Sequence, residues 1–223
     1  QRNAEIRKNV LKYDEVMNQQ RKVIYKRRDQ ILAGADLRAE ALEYLADAVD
    51  TVIKVHCVSE FSEEWNLDGL HAEIGTFWPT ALTPEQMGQS GSTDQLYDVL
   101  MAEAVAYYEQ RESDLTPDVM REVERQVMLR IIDQRWREHL YEMDYLQEGI
   151  NLRAMGQKDP LVEWQREGFE MFGQMMHGIA MDFVRYVMHV QVVTQQPEEP
   201  EVANVQYSAP DEAATGGGMA AAA

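Results

Sequence analysis

The sequence predicts an all-α fold: a long first helix, a small helical domain, an antiparallel two-helix hairpin and a disordered tail. Three observations predict it. Apolar residues recur three and four positions apart, the spacing of one helix face, up to about residue 190. Helix-start signals, a capping residue followed by proline, stand at Thr83-Pro84, Thr116-Pro117 and Asp159-Pro160. The two most regular runs are joined by so few residues that they must fold back on one another.

Residues 1–34 read as one helix. Ile6, Val10, Tyr13, Met17, Ile24 and Ile31 keep to one face, and nothing interrupts them before Gly34, a C-terminal stop. At 1.5 Å per residue such a helix is on the order of 50 Å long, so it needs something to lie against. Two readings stay open for it: an arm of a coiled coil, or a spine along which other domains pack. Residues 36–60 form a second helix through Leu42, Leu45, Val49, Val52 and Ile53. A less regular stretch follows, anchored by Trp65, Leu67, Leu70, Ile74, Phe77 and Trp78, with a capping box at Thr83-Pro84-Glu85-Gln86 and a break from Gly88 to Ser92. Residues 94–112 return to helix through Leu96, Leu100, Val105 and Tyr108.

Thr116-Pro117-Asp118 starts the strongest periodic run, through Met128, Ile132, Trp136, Leu140, Met143, Leu146 and Ile150, which stops near Arg153. Asp159-Pro160 opens the return arm, through Leu161, Trp164, Gly168, Phe172, Met176, Ile179, Phe183 and Val187. Gly168, Gly173 and Gly178 each cost up to ~1 kcal/mol against Ala in a helix, which close helix packing would offset. Residues 191–223, rich in Pro, acid, Gly and Ala, read as a disordered linker tail. The division expected is 1–35, 36–115, 116–190 and 191–223.

Charge divides the chain in the same way. The 223 residues carry 39 acidic and 21 basic side chains, a net charge of −18, which argues against nucleic acid as the partner. Yet residues 1–34 hold nine basic and four acidic side chains, while residues 35–115 hold three basic and seventeen acidic ones. Acidic runs are commonly solvated helix faces; the basic first segment suits an acidic partner surface. The single cysteine, Cys57, excludes an intrachain disulfide and a multi-cysteine zinc site. No uncharged apolar run approaches the ~20 residues of a membrane span, and the first ten residues lack the apolar centre of a signal peptide.

Catalytic signals are weak. There is no G-x-x-x-x-G-K-[ST] phosphate loop: Gly216 to Gly218 run into Met219. His56 beside Cys57 has no matching ligand pair, Glu138-His139 lacks a second His four residues on, and Glu63-Glu64 is an ordinary acidic surface pair. Met171, Met175, Met176 and Met181 suit either a core stripe or an adaptable binding surface. No catalytic residue and no metal site is expected.

Two segments resemble a known family. WREHLYEMDYLQEGINLRAMGQKDPLVEWQREGFEMF, Trp136 to Phe172, is similar to the two-helix finger of SecA, the motor ATPase of bacterial protein export. IRKNVLKYDEVMNQQRKVIY, Ile6 to Tyr25, is similar to the start of the long helix of its scaffold domain, and the block between would be the helical wing. The resemblance covers roughly residues 1–190. It implies that ATP and Mg are bound by motor lobes outside this segment, so this chain needs no cofactor and has no ATPase activity of its own. It implies a fingertip of Leu152, Arg153, Ala154, Met155, Gly156 and Gln157 that contacts the moving polypeptide and the SecYEG channel, with Met155 where the family often has Tyr. Arg7 matches the interdomain Arg through which the scaffold restrains the ATPase. Implied partners are the motor lobes, the preprotein cross-linking domain, SecYEG, unfolded preprotein and a second copy; the implied location is the cytoplasm and the cytoplasmic face of the membrane. The Cys cluster of SecA's C-terminal zinc module has no counterpart in residues 191–223. The alternative is a self-contained helical adaptor or coiled-coil dimer, which the breaks in a/d regularity at Gln20 and Arg27 disfavour.

Overall fold

The computed structural model describes residues 2–153 and 159–192, with side chains described over 11–150 and 159–192. Among these there are seven α-helices, one 3-10 turn and no strand. Helix α1 is Arg2–Leu32, α2 Arg38–His56, α3 Leu67–Ile74, α4 Pro84–Gly88, α5 Thr93–Leu115, α6 Pro117–Arg153 and α7 Pro160–His189; the 3-10 turn is Ser62–Glu64. The expected all-α class holds.

The end signals act as the sequence predicts. Gly34 takes φ +91°, and the N–H groups of Gly34 and Ala35 donate back to the carbonyls of Ile31 (3.0 Å) and Gln30 (3.2 Å). This is a Schellman stop, which needs a residue free to enter left-handed space. At α4 the Thr83 hydroxyl accepts from Gln86 N while the Gln86 side chain accepts from Thr83 N, a reciprocal capping box. At α7 the Asp159 carboxylate accepts from Leu161 N at 2.9 Å, with Pro160 at the first helical position. The stretch after α2 is more ordered than its composition suggests: Asn66 caps α3 through Gly69 N, and Trp65, Leu70, Ile74, Phe77 and Trp78 are all buried. Trp78 Nε1 donates to Glu103 of α5 at 3.0 Å, tying that stretch to the next helix.

Helices α5 and α6 are separated by one residue. Thr116 O accepts from Met120 N (2.9 Å), so Thr116 is the N-cap expected of it. Its backbone, however, sits at φ +76°, ψ 148°. Pro117 keeps the preceding residue out of the helical region, and reversing the chain within one residue demands the positive φ. A β-branched residue there stores ~1–3 kcal/mol of strain. Thr116→Gly is therefore expected to raise the melting temperature by a few degrees, the relief exceeding glycine's extra unfolded-state entropy. A lower melting temperature would refute the strain.

The described residues up to Gln191 pack as one unit around two apolar clusters. The larger joins α2, α3, α5, the first two-thirds of α6 and the second half of α7, with Phe77, Trp78, Tyr108 and Phe183 fully buried. The smaller holds Met143, Leu146, Ile150 and Trp164, with Tyr13, Val16 and Met17 of α1 against it.

Candidate functional site

The hairpin is the feature the sequence singles out, and α6 and α7 lie side by side along most of their lengths. Its arms are tied by Arg135, whose Nε and one terminal nitrogen donate to Asp182 Oδ2 at 2.8 and 2.5 Å. Near its end, α7 is held from the side. Arg111 of α5 donates to the carbonyls of Val187 (3.1 Å) and Val190, and Tyr107 OH donates to Met188 O (3.3 Å). These are the carbonyls a helix end leaves without intrahelical partners. Arg185 lies 4.4 Å from the centre of the Phe77 ring, joining α7 to the segment after α3.

Helix α1 meets the hairpin at a buried polar joint. The Gln20 side chain donates from Nε2 to Gly168 O of α7 (3.0 Å), and its Oε1 lies 2.8 Å from His139 Nε2 of α6. An amide whose nitrogen is donating leaves its oxygen to accept, so His139 carries its proton on Nε2. Both side chains are buried, at 7% and 1% exposure. The imidazole sits between the rings of Trp136 (5.6 Å) and Phe172 (5.8 Å), and its Nδ1 has no partner. One side chain thus fixes α1 to both arms. The close approach also explains Gly168: a Cβ there would come within 2.8 Å of the Met143 methyl. At Gly173 a Cβ meets nothing within 4 Å, and at Gly178 only the Arg135 guanidinium in ordinary contact. Packing therefore offsets the helix cost at Gly168 alone. Gly173→Ala is expected to stabilise by about 0.5–1 kcal/mol in urea unfolding, and Gly168→Ala to gain nothing.

Burial pushes the His139 pKa below its ordinary value. A cationic ring would need an acceptor for Nδ1–H where none stands. In the unfolded chain the imidazole titrates near ~6.5, so the unfolded state binds the extra proton first as pH falls. The His139 contribution is complete above about pH 6.5 and declines below it towards the lowered folded value. His139→Gln keeps a donor without titrating, so the gap in stability between the two proteins is expected to shrink on acidification. A gap constant from pH 7 to 5 would show that the ring is not held neutral.

A second buried polar cluster joins α2, α5 and α6. Tyr108 OH donates to the fully buried Glu124, Arg121 contacts Glu112 (2.8 Å) and Glu124 (2.9 Å), and Arg38 reaches Glu112 (3.3 Å). Desolvation raises the Glu124 carboxyl above the usual range. His56 Nε2 lies 2.7 Å from Glu73 Oε2, and Cys57 is buried, its thiol pushed up by burial. Glu64 accepts from the Ser59 hydroxyl (2.6 Å). These contacts hold helices in register. Among the described residues no three His, Cys, Asp or Glu side chains gather as a metal site, and no helix is long and apolar enough to cross a membrane. Met175 and Met181 are buried and Met171 and Met176 pack against the clusters, so the methionine stripe is core.

Of the expected site residues, Leu152 and Arg153 lie on the last turn of α6 and Arg7 on the second turn of α1, with side chains outside the description; Ala154, Met155, Gly156 and Gln157 fall outside the described residues. Gln20 and His139 were not expected as functional. Their signal was there: each is a polar residue on the buried stripe, between Met17 and Ile24 and between Trp136 and Met143.

Residues 1–191 match the family model of the SecA wing and scaffold domain. The chain belongs to that family. It is 48% identical over 209 residues to the protein translocase subunit SecA of Streptomyces griseus, covering 91% of this chain and 22% of that protein. The SecA of Frankia casuarinae is 49% identical over 204 residues, 88% of this chain and 20% of its own length. SecA 1 of Thermobifida fusca is 43% identical over 209 residues, 91% and 22%. The chain thus spans about a fifth of the length of these SecA relatives.

Proposed function

We propose that this chain is the wing and scaffold part of a SecA translocase, coupling ATP hydrolysis by motor lobes elsewhere in the protein to the movement of preproteins through the SecYEG channel. Residues 1–35 are the first scaffold helix, 36–115 the wing, 116–190 the remaining scaffold with the two-helix finger, and 191–223 a linker tail. Leu152 to Gln157 form the fingertip, and Met155, large and flexible, grips polypeptide without sequence preference. Arg7 contacts the motor lobes and restrains their ATPase. ATP and Mg belong to those lobes; this chain supplies no catalytic group. The protein works in the cytoplasm and at the cytoplasmic face of the membrane, with unfolded preprotein, the cross-linking domain and a second copy as further partners.

The observation that carries this reading is the joint of Gln20, His139 and Gly168, because a finger transmits motion only if its base is fixed to the helix that reaches the motor. The test is a site-specific cross-link. In a full-length SecA bearing this segment, Cys57→Ser and Met155→Cys are introduced, a preprotein is stalled in SecYEG membranes, and the sample is oxidised. Adducts to preprotein and channel above those of an Ala214→Cys control are expected. Background levels in a reconstitution that still translocates would remove the fingertip from the substrate path.

A further inference from the structure

The loop that follows α2 is closed and internally bonded, yet it turns apolar side chains to solvent. Asn66 N donates to His56 O at 3.0 Å, which brings the two ends of the 56–66 segment together. Trp65 Nε1 donates to Ser59 O (2.8 Å), Phe61 N to the Ser59 hydroxyl (3.1 Å) and Glu64 N to Phe61 O (3.1 Å). Cys57 and Trp65 are buried. Such a compact loop with close ends holds its tip in one shape. Val58 is 84% exposed, the highest value of any large apolar side chain among the described residues. Phe61 is 65% exposed, and Val55, on the last turn of α2, 58%. Val58 and Phe61 are three residues apart, so their Cα atoms lie within about 11 Å. One exposed valine is ordinary, but three large apolar side chains within one short ordered stretch mark a surface that gains by being covered.

The free charges beside it have one sign. Glu60 and Glu63 are exposed, and neither makes an ion pair among the described residues. The three basic residues of the acidic block at 35–115 are all engaged. Lys54 meets Asp50 (2.6 Å), Arg38 meets Glu112 (3.3 Å), and Arg111 donates to the carbonyls of Val187 and Val190. His56, at the base of the loop, faces Glu73 at 2.7 Å. No unpaired Lys or Arg of this block offsets the two glutamates.

We propose that this loop docks a cationic protein surface, whose apolar side chains pack on Val58 and Phe61 and whose lysines or arginines meet Glu60 and Glu63. The same loop of a second copy would set these glutamates against their own kind. Nucleic acid and anionic membrane would set phosphate against them. The inference uses the exposure, hydrogen bonds and charge of this loop and does not rest on the transport reading.

The probe is a fluorescent helical peptide of Leu and Lys, together with its Glu-for-Lys counterpart, titrated against the full chain by anisotropy. The cationic peptide is expected to bind and to weaken as salt rises, and the anionic one not to bind. Val58→Ser/Phe61→Ser is expected to weaken binding roughly tenfold, the worth of about half of one fully buried apolar side chain. Val119→Ser, at an exposed valine between the carboxylates of Asp118 and Glu122, is expected to bind like the parent. Glu60→Gln/Glu63→Gln is expected to weaken binding and flatten its salt dependence. Glu43→Gln/Asp47→Asn removes the same charge from the exposed face of α2 and is expected to do neither. Circular dichroism checks that each variant is folded. Equal effects of the two charge pairs would show general attraction to an acidic protein and overturn the proposal. So would parent-like binding by Val58→Ser/Phe61→Ser, or no binding at low salt. Capture by phosphatidylcholine or phosphatidylglycerol vesicles, or self-association, that is lost in Val58→Ser/Phe61→Ser would assign the loop to lipid or to a second copy instead.

Discussion

Trp164→Ala is expected to cost about 3–5 kcal/mol, and to cost it in one place. Trp164 is 1% exposed and is the largest member of the smaller apolar cluster, its ring tilted at 58° to that of Tyr13 with centres 5.6 Å apart and packed with Met143, Leu146 and Ile150. That cluster holds the far half of the hairpin and the early turns of α1, separate from the larger core. Hydrogen exchange should therefore show protection lost from about residue 143 to 153 and 160 to 168, while α2 and α5 keep theirs. Trp164 Nε1 is buried without a partner, so Trp164→Phe gives up bulk but no hydrogen bond and should cost clearly less. Protection lost evenly across the chain would mean that the two clusters are one cooperative core.

Gln20→Leu is expected to cost about 2–3 kcal/mol, because it strands the His139 Nε2–H, and one lone pair of Gly168 O, in a site closed to water. The more telling result is the double variant. His139→Phe fits between the Trp136 and Phe172 rings and removes the orphaned donor, so Gln20→Leu/His139→Phe should cost at least ~1 kcal/mol less than the two single changes together. Strict additivity in urea unfolding would show that the amide and the imidazole do not act as a unit. The same single change is expected to loosen the hairpin relative to α1, readable as a broadened distance distribution between spin labels on the two.

The helices were legible because their signals are local. The Gly34 stop, the capping box at Thr83 and the Asp159-Pro160 start need no knowledge of what lies across the fold, and each is found where the residues put it. Leu67–Ile74 was harder: eight residues hold two turns, too few for a periodic pattern to separate from its loop-rich surroundings. The joint was illegible for a different reason. Gln20 read as a flaw in a hydrophobic repeat, and His139 as half of a motif whose other half was missing, because the partner of each is over a hundred residues away. A polar residue on a buried stripe signals a long-range hydrogen bond without naming its other end. Thr116 gave its helix start away but not its backbone strain, which arises from the reversal that tertiary packing imposes.

The grip of Arg111 and Tyr107 on the last carbonyls of α7 has a mechanical side. Helices under axial tension fray from their ends, where one hydrogen bond at a time can be lost. Here the terminal turn is clipped sideways to α5, so a pull on the residues that follow Val192 must break bonds to Arg111 and Tyr107 together before α7 can unwind. The load passes into α5 and, through the one-residue corner at Thr116, into α6. Whatever tugs on this end of the chain pulls on the base of the hairpin as a whole, and its second arm does not peel away alone.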